Sequence, residues 1–140
     1  MRLDTIMTKP VETISPRASI STAQRVLRLK GIHHLVVVSR ANVVGLATAE
    51  TLKDREAEGA ARVGDAMIRN ITVLAPETTV RQAADLMMGR PQTAVPVVRH
   101  QRLVGIVTVS DLLDLAGTPR PRHRSATAIA AKRISRVAGR

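Results

Sequence analysis

The sequence contains no cysteine and no phenylalanine, tyrosine or tryptophan. Without cysteine there is no disulfide framework, no thiol nucleophile and no cysteine-held zinc. Without aromatic rings there is nothing on which to stack nucleic-acid bases, which excludes the modules that read single strands on aromatic platforms. No apolar run approaches the ~18 residues of a membrane span, and Met1-Arg2-Leu3-Asp4-Thr5-Ile6 has no apolar signal-peptide core. The expectation is a soluble, cytoplasmic protein with no membrane partner.

What is present is aliphatic. Of 140 residues, 44% are hydrophobic, which is enough to build a core from Val, Leu, Ile, Ala and Met and to exclude global disorder. The length suits one compact domain or two small interlocked ones. The net charge of +11 is unevenly placed. Residues 118–140 carry Arg120, Arg122, Arg124, Lys132, Arg133, Arg136 and Arg140 with no acid, so they supply +7 and leave +4 for the rest. The basicity is therefore mainly a property of the tail and does not imply that the folded part binds nucleic acid. Thr118-Pro119-Arg120-Pro121 breaks regular structure. From Ser125 to Val137, a weak stripe of Ala126, Ala130, Ile134 and Val137 predicts either a marginal helix or a disordered extension. Salt-dependent binding of nucleic acid, or of an acidic protein, is the function this tail would offer as an alternative to whatever the folded part does.

The folded part repeats itself. A shift of 60 aligns Met7 with Met67, Pro16 with Pro76, Ala23 with Ala83, Gly45 with Gly105, Thr48 with Thr108 and Leu52 with Leu112, without a gap. Each copy begins with an extended piece, Val11–Ile14 or Ile71–Leu74, closed by Pro16 or Pro76. An amphipathic helix follows, from about Ser19 to Lys30 and from Thr78 to Met88, with Ser19 and Thr78 as N-caps and Gly31 and Gly89 at C′. Next comes a hairpin: strand 35–38 or 95–98, a polar turn at 40–42 or 100–102, and strand 43–47 or 103–107. A second helix starts at Thr48 or Thr108, and 54–62 reads as a polar linker before Val63–Met67 opens the second copy. The predicted fold is α+β. Two β-α-β-β-α repeats, residues 4–56 and 57–117, are each too small to bury a good core alone, so they pack about a pseudo-twofold axis ahead of the basic tail 118–140.

The chemistry concentrates in Gly105-Ile106-Val107-Thr108-Val109-Ser110-Asp111-Leu112, a strand end, a turn and a first helical turn. Helix-start N–H groups, the Thr108 hydroxyl and the Asp111 carboxylate meet in one small volume. The plainer reading is a capping pair. The functional reading is that Asp111 accepts from a vicinal diol while Thr108 and the helix start meet ribose or phosphate. In the first copy, Thr51 stands at the aspartate position and Glu50 is one step off the face, so a full site is expected only in the second. His33 and His34 precede the strand at 35. As a metal pair they fail, because adjacent strand residues point to opposite faces and no third ligand converges. As surface residues or partners of a backbone carbonyl they need no function. There is no Ser-His-Asp order, P-loop or pair of catalytic carboxylates, so no catalytic residue and no enzyme is expected.

The tandem units, with Ile32-His33-His34-Leu35-Val36-Val37-Val38, the Gly105-Ile106-Val107-Thr108 ending followed by Asp111-Leu112, and the openings Ile6-Met7-Thr8 and Ala66-Met67-Ile68, resemble the cystathionine-β-synthase (CBS) domain family over residues 4–116. The resemblance implies a free-standing, Bateman-type regulatory module, non-catalytic and homodimeric, with an enzyme or transporter as its regulated partner. It would bind an adenine nucleotide (AMP, ADP or ATP) between the repeats as a regulatory ligand, with no cofactor required. It also implies roles: Asp111 and Thr108 at the ribose, His33 or His34 at the phosphates from across the pseudo-twofold, and Ala66, Ile71, Val95, Pro96 and Val97 along the base. For each of these apolar residues, ordinary core is the plainer reading.

Overall fold

The structure is a computed structural model that describes residues 1–90 and 92–117. The first repeat opens with a short helix, α1 (Leu3–Ile6), and a two-residue strand, β1 (Thr13–Ile14), parallel to the strand that follows the first long helix. Ser19 starts that helix, α2 (Ile20–Lys30), by accepting the Thr22 N–H, and Gly31 ends it in the left-handed conformation at φ +63°. Strands β2 (His34–Ser39) and β3 (Asn42–Thr48) form an antiparallel hairpin. Its turn is Arg40-Ala41 alone, both at positive φ, as a two-residue hairpin turn requires, so Asn42 already belongs to the strand. Thr48 then caps α3 (Ala49–Ala57), which takes up part of the expected linker.

The second repeat follows the same plan with α4 (Val63–Ala66), α5 (Val80–Met88), β4 (Ala94–Arg99), β5 (Arg102–Thr108) and α6 (Val109–Leu115). Its hairpin turn is His100-Gln101, again at positive φ. Three sequence expectations need correction here. The cap of α5 is Thr79 and not Thr78, because Gln82 at the third helical position returns a bond to the Thr79 N–H at 2.9 Å. A cap at Thr78 would place the donor-only Arg81 there. Gly89 is right-handed at φ −92°, its N–H bonded back to the Asp85 and Leu86 carbonyls, so it does not use glycine's left-handed freedom. Residues 71–74 are not a strand; only Leu74 bridges to Val97. In the first repeat the Val36 N–H bonds the Glu12 carbonyl, but the equivalent donor position is Pro96, which has no N–H; the buried Gln92 amide instead accepts from the Thr72 N–H at 3.0 Å and donates to the Thr72 carbonyl at 2.8 Å.

The two leading segments exchange places. Leu3 packs in the second core with Ala83, Met87, Val95, Val97 and Val107. The Leu3 N–H bonds the Thr78 carbonyl, and Thr8 pairs with Ile106 on the free edge of β5. Reciprocally, Val63 and Ala66 pack in the first core, and Ile68 pairs with Leu46 of β3. Val63–Met67, which opens the second repeat in sequence, thus packs against the first. Close approach explains a glycine in each strand: a Cβ on Gly45 would meet Met67 Sδ at 2.7 Å, and one on Gly105 would meet Met7 Cγ at 2.7 Å. The first core also takes in Ala94 and Ile106 from the second hairpin, so the seam between repeats is itself apolar. Among the described residues, no helix is long and apolar enough to cross a membrane.

Candidate functional site

Thr108 ends β5 and caps α6, and both roles are legible in its neighbours. The apolar run Leu103–Val107 holds the strand against β4, where Ala94 pairs with Thr108. The Thr108 hydroxyl accepts the Asp111 N–H at 3.3 Å, and Asp111 Oδ2 accepts the Thr108 N–H at 2.9 Å and the hydroxyl at 3.2 Å. Thr108 is buried and Asp111 half-buried. The first repeat closes the same capping box with different chemistry. There the Thr51 hydroxyl accepts the Thr48 N–H at 3.0 Å and Thr48 Oγ1 accepts the Thr51 N–H at 3.1 Å. A hydroxyl therefore suffices for the cap, and the carboxylate of Asp111 exceeds what the helix start requires.

His34 belongs to the first repeat but reaches the second. Its Nε2 lies 2.8 Å from the Thr93 hydroxyl. The Thr93 carbonyl in turn accepts the Val109 N–H at 3.1 Å, at the start of α6 beside Thr108. Thr93 thus ties the first repeat's histidine to the second repeat's Thr108–Asp111 corner, with the seam between them. Burial pushes the His34 imidazole down to about 3, and the neighbouring His33 adds to the shift. His34 is accordingly neutral near pH 7 and offers a hydrogen bond, not a charge.

The remaining predicted residues divide. His33 is exposed and lines a separate groove of about 440 Å³ on the first repeat, with Leu27, Arg28, Ile32, Ala49 and Lys53. It lies in the bend before β2, outside the strand that begins with His34. Ile71 is half-buried and Pro96 buried. Ala66 is closed into the first core, and Val95 and Val97 into the second beneath α5. All three side chains are buried. Among the described residues, no three His, Cys, Asp or Glu side chains group as metal ligands. The expectations for residues 118–140, including the nucleic-acid alternative, lie outside the described residues. Sequence reasoning missed Thr93 and Gln92, polar residues flanking a strand start, whose partners lie 59 and 20 residues away. It also missed the groove at His33, because nothing in a single amphipathic helix shows where a gap will open beside it.

The CBS domain family model matches residues 3–58 and again residues 63–117. The chain is similar to homoserine O-acetyltransferase of Methanohalobium evestigatum, with 31% identity over 112 residues, covering 79% of this chain and 23% of that protein. It is similar to inosine-5′-monophosphate dehydrogenase of Korarchaeum cryptofilum at 30% identity over 112 residues, with the same two coverages, 79% and 23%. It thus spans about a quarter of the length of these curated relatives. Among solved structures, the CBS domain pair of protein MJ0100, in complex with 5′-methylthioadenosine and S-adenosyl-L-methionine, matches with a TM-score of 0.79 and 29% identity. That match covers 84% of this chain and 96% of that one.

Proposed function

The chain belongs to the CBS domain family, and from that premise we propose that it is a regulatory module that binds an adenosine-containing ligand in the cleft between its repeats. Occupancy is transmitted by moving one repeat against the other, which requires that the ligand bind one arrangement better than the other. The module itself is non-catalytic, and its regulated partner is an enzyme or a transporter. Asp111 takes the ribose diol, with Thr108 beside it. His34 meets the ligand from across the seam as a neutral hydrogen-bonding group, and Ile71 and Pro96 flank the base. His33, turned into its own groove, is left out.

The observation that carries this reading is the contrast between the two capping boxes. Thr48 and Thr51 cap α3 without a charge, whereas Thr108 and Asp111 cap α6 with one. The carboxylate adds two acceptor oxygens at this corner, which suit the two donors of a vicinal diol as a single hydroxyl does not. The likeness to the CBS domain pair of MJ0100 in complex with 5′-methylthioadenosine and S-adenosyl-L-methionine supports an adenosine-containing ligand. The decisive variant is Asp111→Thr, which transplants the first repeat's own solution. Calorimetric titration with AMP, ATP, S-adenosylmethionine and methylthioadenosine should show binding of at least one by the wild type. The variant should lose roughly tenfold or more in affinity, as expected for hydrogen bonds to a charged group, and keep its thermal unfolding midpoint. Wild type that binds none of the four, or a variant that binds as wild type does, would reject the proposal.

A further inference from the structure

Without cysteine, tyrosine or tryptophan, the side chains that a peroxide oxidises most readily in this chain are its five methionines. Their settings differ. Met1 and Met88 are exposed, and Met87 is closed into the second core. Met7 and Met67 are half-buried, the one packed on the second core and the other on the first. They stand sixty residues apart, at equivalent points of the two repeats.

Both sit where a leading segment meets the other repeat. The N–H of each closes the short helix before it, Met7 on the Leu3 carbonyl and Met67 on the Val63 carbonyl, both at 2.8 Å. The residue after each then pairs with a strand. Thr8 exchanges two backbone bonds with Ile106, at 2.8 and 3.1 Å, and Ile68 exchanges two with Leu46, at 2.7 and 3.1 Å. Beside each pair the methionine lies on bare backbone. A Cβ on Gly105 would meet Met7 Cγ at 2.7 Å and Met7 Cβ at 3.0 Å, and one on Gly45 would meet Met67 Sδ at 2.7 Å and Met67 Cγ at 3.0 Å. Gly105 and Gly45 immediately precede Ile106 and Leu46. At the crossing, each leader is thus held by a pair of backbone bonds and by the thioether next to them.

We propose that Met7 and Met67 form a paired oxidation site, through which peroxides loosen the exchanged leaders and uncouple the two repeats. The peroxide O–O bond breaks, one oxygen atom bonds to Sδ, and the other leaves as water or an alcohol. The apolar thioether becomes a polar sulfoxide whose oxygen accepts hydrogen bonds. Beside Gly45 it would face the Ile68 carbonyl, also an acceptor, which lies 2.8 Å from the place of a Cβ. Water suits the sulfoxide better than this packing does, so the side chain leaves the glycine and the neighbouring backbone pair opens. Half-burial fits the role, since the sulfur stays within reach of a small peroxide while its polarity still matters to a core. A methionine sulfoxide reductase, drawing on a dithiol, removes the oxygen as water and restores the contact. The inference does not use the adenosine reading and stands or falls separately from it.

The test treats the full chain with hydrogen peroxide, locates the sulfoxides by peptide mass spectrometry, and follows backbone hydrogen exchange. Met7 and Met67 should be oxidised before Met87. The amides of Thr8, Ile106, Ile68 and Leu46 should then exchange roughly tenfold faster or more, while that of Leu27 inside α2 keeps its rate. Leucine is close to methionine in volume and cannot take the oxygen. Treated Met7→Leu should therefore keep Thr8 and Ile106 protected and lose only the other pair. Treated Met67→Leu should do the reverse, and Met88→Leu should respond as wild type does. Met87 reacting first overturns the proposal. So do sulfoxides at Met7 and Met67 that leave exchange unchanged, acceleration at Leu27 equal to that at the four amides, or leucine variants that lose protection at their own pair.

Discussion

Acid should weaken the fold through one residue in particular, His34. Its imidazole is held neutral by burial, with a pKa pushed down to about 3 from an ordinary 6.5. The unfolded chain, in which His34 is solvated, therefore binds a proton that the folded chain refuses. Between about 6.5 and about 3 the unfolded state holds the extra proton, so stability falls as pH falls across that window, by up to about 1.4 kcal/mol per pH unit. From about pH 7 to about pH 5 the contribution of this one group comes to about 2 kcal/mol, since roughly 97% of the unfolded imidazole is charged at the lower pH. Carboxylates titrate too, so the comparison must cancel them. Urea unfolding of wild type and His34→Gln, each followed at both pH values, does so, because glutamine keeps a hydrogen-bonding side chain and removes the titration. His34→Gln is expected to be less stable than wild type at the higher pH, through the weakened bond to Thr93. The gap should narrow or reverse by about 2 kcal/mol at the lower pH. Parallel pH dependences in the two proteins would mean that His34 titrates as it does in water and that the seam around it is wet.

The sixty-residue equivalence supplies internal controls for other variants. Leu52→Ala should cost about 2–5 kcal/mol in denaturant unfolding, because Leu52 is fully buried. Leu112→Ala, at the equivalent but half-buried place, should cost clearly less; equal costs would show that the two helices are seated alike. Gly105→Ala should destabilise by about 1–3 kcal/mol through overpacking, since its Cβ would press on the Met7 side chain. Adding Met7→Ala should recover part of that loss, and if it does not, the contact is not the cause. Asp111→Thr should leave the unfolding midpoint near that of wild type while abolishing most ligand affinity, which separates the cap from the site in a single protein.

Much of this was legible because the informative residues act locally. Thr48 and Thr108 announce helix starts through bonds to residues three places on, and the Leu35–Val38 and Leu103–Val107 runs announce strands whatever surrounds them. The exchange of leading segments was not legible. Leu3 and Val63 are apolar residues in four-residue helices, and nothing local says which of two similar cores will take them. Thr78 and Thr79 are both able to cap, and the choice was made by the acceptor of Gln82. Residues 71–74 have strand composition, but Pro96 offers no N–H to the Thr72 carbonyl, and a glutamine amide from twenty residues away satisfies Thr72 instead.

The exchanged leaders also fix how force would travel through the molecule. The first turn of the chain, at Leu3, is anchored in the second repeat, and so is α6 near residue 117. The first repeat, although it is first in sequence, is mechanically an insertion between two segments of the second. Tension applied between Arg2 and Gly117 is borne by the Arg2–Thr79 and Thr8–Ile106 pairings, while the α2–β2–β3–α3 unit hangs outside the load path. Pulling on these points in a single-molecule trap should open the second repeat before the first. The unit that contributes Asp111 is thus the one held by both ends, and the unit that contributes His34 is held only through the seam.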